Sequence, residues 1–128
     1  MIECLVLGDS IAVGVAQHLP QCEVIAKVGR SSSQVLASVK EVSNDVTVIS
    51  VGSNDPRNPE LLRNIRALRA KINAKYVIWL LPYDGSASGA VRHVASSNRD
   101  YIIDLKNFAS GDGVHPKNYK AVAMEIKK

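Results

Sequence analysis

Five short apolar runs mark the chain: Ile2–Leu7, Glu23–Val28, Val46–Val51, Tyr76–Leu81 and Tyr101–Leu105. Most are rich in Val, Ile or Leu without polar alternation, the pattern of strands covered on both faces. Segments of helical period lie between them: Ile11–Leu19, Ser32–Val42, Ala87–Asn98, and Asn118 to the C-terminus. The clearest follows Asn58-Pro59-Glu60, where Asn58 can cap, Pro59 fits the first helical position and Glu60 suits the dipole. Leu61, Leu62, Ile65, Leu68 and Ile72 then recur on one face. Strict alternation of strand and helix predicts an α/β protein with a parallel sheet and helices on both faces. Such sheets carry their sites at the carboxyl ends of the strands.

The 128 residues suit a single domain spanning 1–128, with 46% hydrophobic and 22% charged residues. No apolar run is long enough to span a bilayer, and no charged segment with a cleavage site opens the chain, so a cytoplasmic protein without membrane partners is expected. The formal charge of +4 resides largely in Arg57, Arg63, Arg66, Arg69, Lys71 and Lys75, on or beside one helix. With no aromatic residues interleaved, these read as a solvated face, and no nucleic-acid partner is expected. Cys4 and Cys22 lack metal-ligand spacing and read as buried thiols of a reducing compartment. A bridge between them is open only if their strands are neighbours.

Four of the strand ends run into polar, glycine-containing turns. They are Gly8-Asp9-Ser10, Val28-Gly29-Arg30-Ser31, Gly52-Ser53-Asn54-Asp55, and Gly111-Asp112-Gly113-Val114-His115-Pro116. Taken singly, each is ordinary turn or cap chemistry. Converging on one rim, they bring a serine, backbone N–H groups, an amide and an Asp/His pair together, as acyl transfer requires. A serine hydroxyl needs a base to take its proton. Of the three histidines, His18 and His93 fall within helices, and only His115 lies on a strand-end loop. Asp112 can fold back on its ring and fix the tautomer. Ser10 N–H, Gly29 N–H and the Asn54 amide are the candidate oxyanion donors. No third His or Cys stands near Asp112 and His115 in sequence, so no metal is expected, and the absence of phosphate-binding glycine motifs leaves no cofactor expected.

Gly8-Asp9-Ser10, Gly29, Gly52-x-Asn54 and Asp112-x-x-His115-Pro116, in that order, resemble the four signature blocks of the SGNH, or GDSL, hydrolases. The resemblance implies a three-layer, flavodoxin-like α/β/α sandwich on a five-stranded parallel sheet of order 2-1-3-4-5. It also implies a metal-independent serine esterase: Ser10 the nucleophile, Gly29 and Asn54 oxyanion donors, His115 the base and Asp112 its orienting acid. The chain is short for that family and lacks most of its cover loops, which favours a short acyl group, with acetyl esters of carbohydrate foremost. Its last segment, PKNYKAVAMEIKK, lacks the family's common glycine before the tyrosine. Acyl transfer at the same site and a non-catalytic binding or structural module are the alternatives. Asp9, Arg57, Tyr83 and Asp84 are candidate substrate contacts, although Asp9 equally suits bracing the first helical turn and the others a plain connecting loop.

Overall fold

The computed structural model describes residues 3–127; Ile2 of the expected first strand and Lys128 of the expected last helix lie outside them. The elements are β1 (Cys4–Gly8), α1 (Ser10–Ala16), β2 (Glu23–Ala26), α2 (Ser32–Ser38), β3 (Val42–Ser50), α3 (Leu61–Ala70), β4 (Ile72–Leu81), α4 (Gly85–Asn98), β5 (Tyr101–Asp104) and α5 (Tyr119–Lys127). The strands form one parallel sheet in the order β2-β1-β3-β4-β5. Side chains alternate across it: Leu5, Leu7, Ile49, Val77 and Trp79 face the layer of α2, α3 and α4. Val6, Val48 and Leu80 face α1 and α5. Both faces are covered, which is why the central strands read as unbroken apolar runs.

The two outer strands are more exposed than the central ones. β2 leaves Val24 exposed, and the run predicted to reach Val28 stops at Ala26. There the chain enters a turn closed by Arg30 N–H to the Lys27 carbonyl at 3.4 Å, with Gly29 at φ +86. In the middle of the sheet the error runs the other way, since β3 and β4 start at Val42 and Ile72, four residues before the predicted starts. Val39 is already extended, so α2 ends at Ser38, short of the helix predicted to Val42. Lys71 Nζ donates to the Leu36 and Val39 carbonyls, fastening that end. α1 likewise ends at Ala16, before Leu19. Asn58 does not cap α3 itself. Its side chain accepts from Glu60 N–H at 3.0 Å, so Pro59 and Glu60 form a turn ahead of a helix that begins at Leu61.

Two expectations need correcting. Cys4 and Cys22 are not free thiols: they are joined in a disulfide, with Cα atoms 4.7 Å apart. The β1–β2 ladder pairs Leu5 with Glu23, so the preceding step places the two cysteines side by side. The basic cluster is also not one solvated face. Arg69 Nε and Nη2 donate to Asp100 at 2.8 and 3.0 Å, and Trp79 Nε1 donates to the same carboxylate at 2.8 Å. With Lys71 on the α2 carbonyls, two of its members are structural; Arg63 pairs with Glu60, and Arg66 donates to His93 at 3.1 Å.

Candidate active site

The chain runs from β1 outward to β2, then crosses back past β1 to β3 and on to β4 and β5, so the switch point lies between the ends of β1 and β3. Gly8 ends β1 at φ +142, and a Cβ there would stand 1.9 Å from the Ser50 carbonyl oxygen. Only glycine lets β1 and β3 lie so close at this point. The next residue, Asp9, is wholly buried and caps α1, its Oδ1 accepting from Ile11 N–H at 3.1 Å and Ser50 Oγ at 2.8 Å. Its Oδ2 has no hydrogen-bond partner among the described residues. Burial outweighs the bonds from Ser50 and the helix N–H groups and pushes the Asp9 carboxyl up to about 6. Ser10 follows as the first residue of α1.

His115 arrives from the other end of the chain. Ser10 Oγ stands 2.9 Å from His115 Nε2, and His115 Nδ1 stands 2.8 Å from Asp112 Oδ2. With Asp112 ionised, Nδ1 carries the ring hydrogen and Nε2 accepts from the serine. Asp112 Oδ1 accepts from the backbone N–H of Val114 at 2.9 Å and of His115 at 2.8 Å. The hydrogen bond from the His115 ring, then these N–H groups, hold the Asp112 carboxyl far below the usual carboxylate range. Ser110 Oγ donates to the His115 carbonyl at 2.6 Å and accepts from Gly113 N–H at 2.9 Å. A bridge between Ser110 and Pro116 closes the loop.

The oxyanion candidates come from the flanking strands. β2 and β3 lie on either side of β1, so Gly29, Ser10 and Asn54 issue from three adjacent strand ends. Asn54 Nδ2 donates to the Arg30 carbonyl at 2.9 Å, joining the two outer loops. A carboxamide has a second N–H, which this bond leaves over. Beneath them Asp55 accepts from Ser32 N–H at 2.9 Å, Ser32 Oγ at 2.5 Å and Asn58 Nδ2 at 3.0 Å.

The candidate substrate contacts are placed less uniformly. Asp9 has no exposed surface and serves as cap and brace. Tyr83 is half-buried, with its hydroxyl donating to the Phe108 carbonyl at 3.0 Å, and burial with the nearby Asp112 charge raises its pKa. Asp84 caps α4 through Ser86 and Ala87 N–H, and Arg57 Nη2 lies 3.7 Å from its Oδ2. Arg57, Tyr83 and Asp84 thus share the rim at the carboxyl end of the sheet, and only the Arg57–Asp84 pair is brought together. Sequence reasoning missed Ser50, Ser110 and Tyr119. The Tyr119 ring packs on Gly14 of α1, where a Cβ would approach it to 2.5 Å. Among the described residues no three His, Cys, Asp or Glu side chains gather as metal ligands.

No family model matches the chain, and no curated protein matches it. Solved structures do match. An aryl esterase of M. smegmatis superposes with a TM-score of 0.70 at 15% identity, over 99% of either chain. A member of the lipolytic G-D-S-L family from Veillonella parvula gives 0.59 at 18% identity, over 99% of this chain and 97% of that one. The fold is that of the GDSL-type hydrolases. The C-terminal catalytic domain of Streptococcus pneumoniae peptidoglycan O-acetyltransferase A shares this GDSL-type fold, with a TM-score of 0.56 at 17% identity, over 94% of this chain and 85% of that one. The order 2-1-3-4-5 and the sandwich expected from the sequence are therefore the ones observed.

Proposed function

We propose that the protein is a serine esterase acting on short acyl esters, with acetyl groups on carbohydrate as the natural substrate class. The observation that carries this reading is the continuous run of hydrogen bonds from Ser10 Oγ through His115 to Asp112. Ser10 Oγ attacks the ester carbonyl carbon as its proton passes to His115 Nε2. The negative charge on the carbonyl oxygen is met by Ser10 N–H, Gly29 N–H and the spare N–H of Asn54. Collapse breaks the bond to the alcohol, which takes the proton from Nε2, and leaves the acyl group on Ser10. Water then attacks with its proton going to Nε2, and the acid departs as that proton returns to Ser10 Oγ. Asp112 keeps the ring in the productive tautomer and stabilises its charged form.

Transfer of the acyl group to a sugar hydroxyl instead of water is a second reading. It is favoured by the fold shared with a peptidoglycan O-acetyltransferase domain. Product analysis with acceptor alcohols present separates the two. As for setting, among the described residues no helix is long and apolar enough to cross a membrane. The Cys4–Cys22 disulfide supports an oxidising compartment in place of the reducing one expected from free thiols.

The test is covalent labelling and its loss. A fluorophosphonate is expected to modify Ser10 alone, and Ser10→Ala to lower p-nitrophenyl acetate turnover by on the order of 10⁶ in kcat with the melting temperature unchanged. A folded protein that neither reacts with the probe nor turns over the ester overturns the reading.

A further inference from the structure

Beside Gly29 an open groove of about 470 Å³ runs between the Lys27–Arg30 turn and α2, lined in part by Lys27, Arg30, Gln34 and Ser38. That size is within the range of small-molecule sites. Nothing stands within 4 Å of the position a Cβ on Gly29 would take, so the groove is unobstructed up to the proposed oxyanion donor. Its lining contains two cations and no carboxylate. Neither cation forms an ion pair among the described residues, in contrast to Arg57, Arg63, Arg69 and Arg92. In the adjoining loop the carboxylate of Asp55 is occupied by Ser32 and Asn58. The planar guanidinium of Arg30 matches a carboxylate or phosphate in shape.

From this combination of an open groove and unpaired cations we infer that the groove is a substrate subsite for an anionic group, a carboxylate or phosphate, held by Lys27 and Arg30. The inference rests on the esterase reading and narrows it: the ester belongs to an acidic molecule, such as an acetylated sugar acid or sugar phosphate. The anion lies on the β2 side of Ser10, with Gly29 between it and the reacting carbonyl. Gln34 contributes its free amide N–H, since its Oε1 accepts from Ser31 N–H at 2.9 Å.

The test titrates the intact chain with glucuronate, glucose 6-phosphate and glucose, following backbone amide signals and p-nitrophenyl acetate turnover together. At least one anion is expected to shift the Lys27, Gly29 and Arg30 amides and to raise KM with kcat unchanged, while glucose does neither. The stronger of the two anions identifies the group. Lys27→Gln and Arg30→Gln are each expected to weaken the anion about tenfold, and Lys27→Gln alone suffices where Arg30→Gln fails to fold. No shift with either anion, or shifts that leave KM unchanged, overturns the inference while the esterase reading stands. A wild-type protein with no ester turnover overturns the esterase reading, and the subsite falls with it.

Discussion

Asp9 and Asp112 are both aspartates of short loops beside the Ser10–His115 contact, and their surroundings drive them in opposite directions. Asp9 is sealed beneath α1, with one oxygen bonded and the other orphaned, and its carboxyl is pushed up to about 6. The Asp112 side chain is 57% exposed yet carries the histidine ring and two backbone N–H groups, which hold its acidity strong. Burial sets the direction at Asp9, and hydrogen bonds to the carboxylate set it at Asp112. The same contrast separates the loops. The serine loop is fixed by burial and close backbone approach, the histidine loop by hydrogen bonds within itself. Damage to the first is therefore expected in stability, and damage to the second in turnover.

Asp112→Asn gives the sharpest separation. Asparagine keeps the acceptor for Val114 and His115 N–H but turns a donor toward Nδ1, which favours the wrong tautomer. Esterase kcat is expected to fall about 10⁴-fold, with little change in melting temperature. A large loss of stability would show that the histidine loop is not self-supporting. Asn54→Ala, which removes one proposed oxyanion donor, is expected to cost about 10²–10³ in kcat by steady-state kinetics. On the buried side, replacing both Cys4 and Cys22 with serine is expected to lower stability by about 3 kcal/mol in denaturant titration, for a bridge of sequence separation 18. Activity of the molecules that remain folded is expected to persist, since the bridge joins the start of β1 to the approach to β2, away from the site.

The finest comparison is in pH. A folded pKa of about 6 against an ordinary 3.8 means that the folded state binds the Asp9 proton more tightly. That contribution, about 3 kcal/mol, is fully present below pH 3.8 and lost as pH rises through about 6. Asp112 has the opposite sign: its folded pKa is depressed, so its contribution holds above the unfolded pKa and is lost as pH falls. Asp9→Asn is expected to gain stability relative to the parent between pH 4 and pH 8, read from paired thermal melts. A pH-independent difference would show that Asp9 does not titrate in this range.

Much of this organisation is legible in the sequence because glycine and short polar residues punctuate strand ends. Gly8, Gly29 and Gly52 all adopt positive φ, and the residues singled out beside them occupy the same rim. The limits of that reading are physical. Register decides whether Cys4 meets Cys22, and no local pattern reports which rung of a parallel ladder faces which. Ser50 and Ser110 are common residues whose importance arises from partners far away or in a folded turn. The α2–β3 boundary was misplaced because Val39 and Val42 satisfy a helical period while favouring extended backbone. Lys71 reads as surface charge because its acceptors, the Leu36 and Val39 carbonyls at the end of α2, are remote from it in sequence.

The Ser10–His115 bond spans 105 positions of the chain. α5 follows the histidine loop directly and is seated on α1 through Tyr119 against Gly14. A chain emerging N-terminus first therefore presents Ser10 and α1 before His115, the base in the proposed reading. In that reading Ser10 becomes reactive only once the His115 loop is seated, so its labelling during refolding reports the seating of that loop.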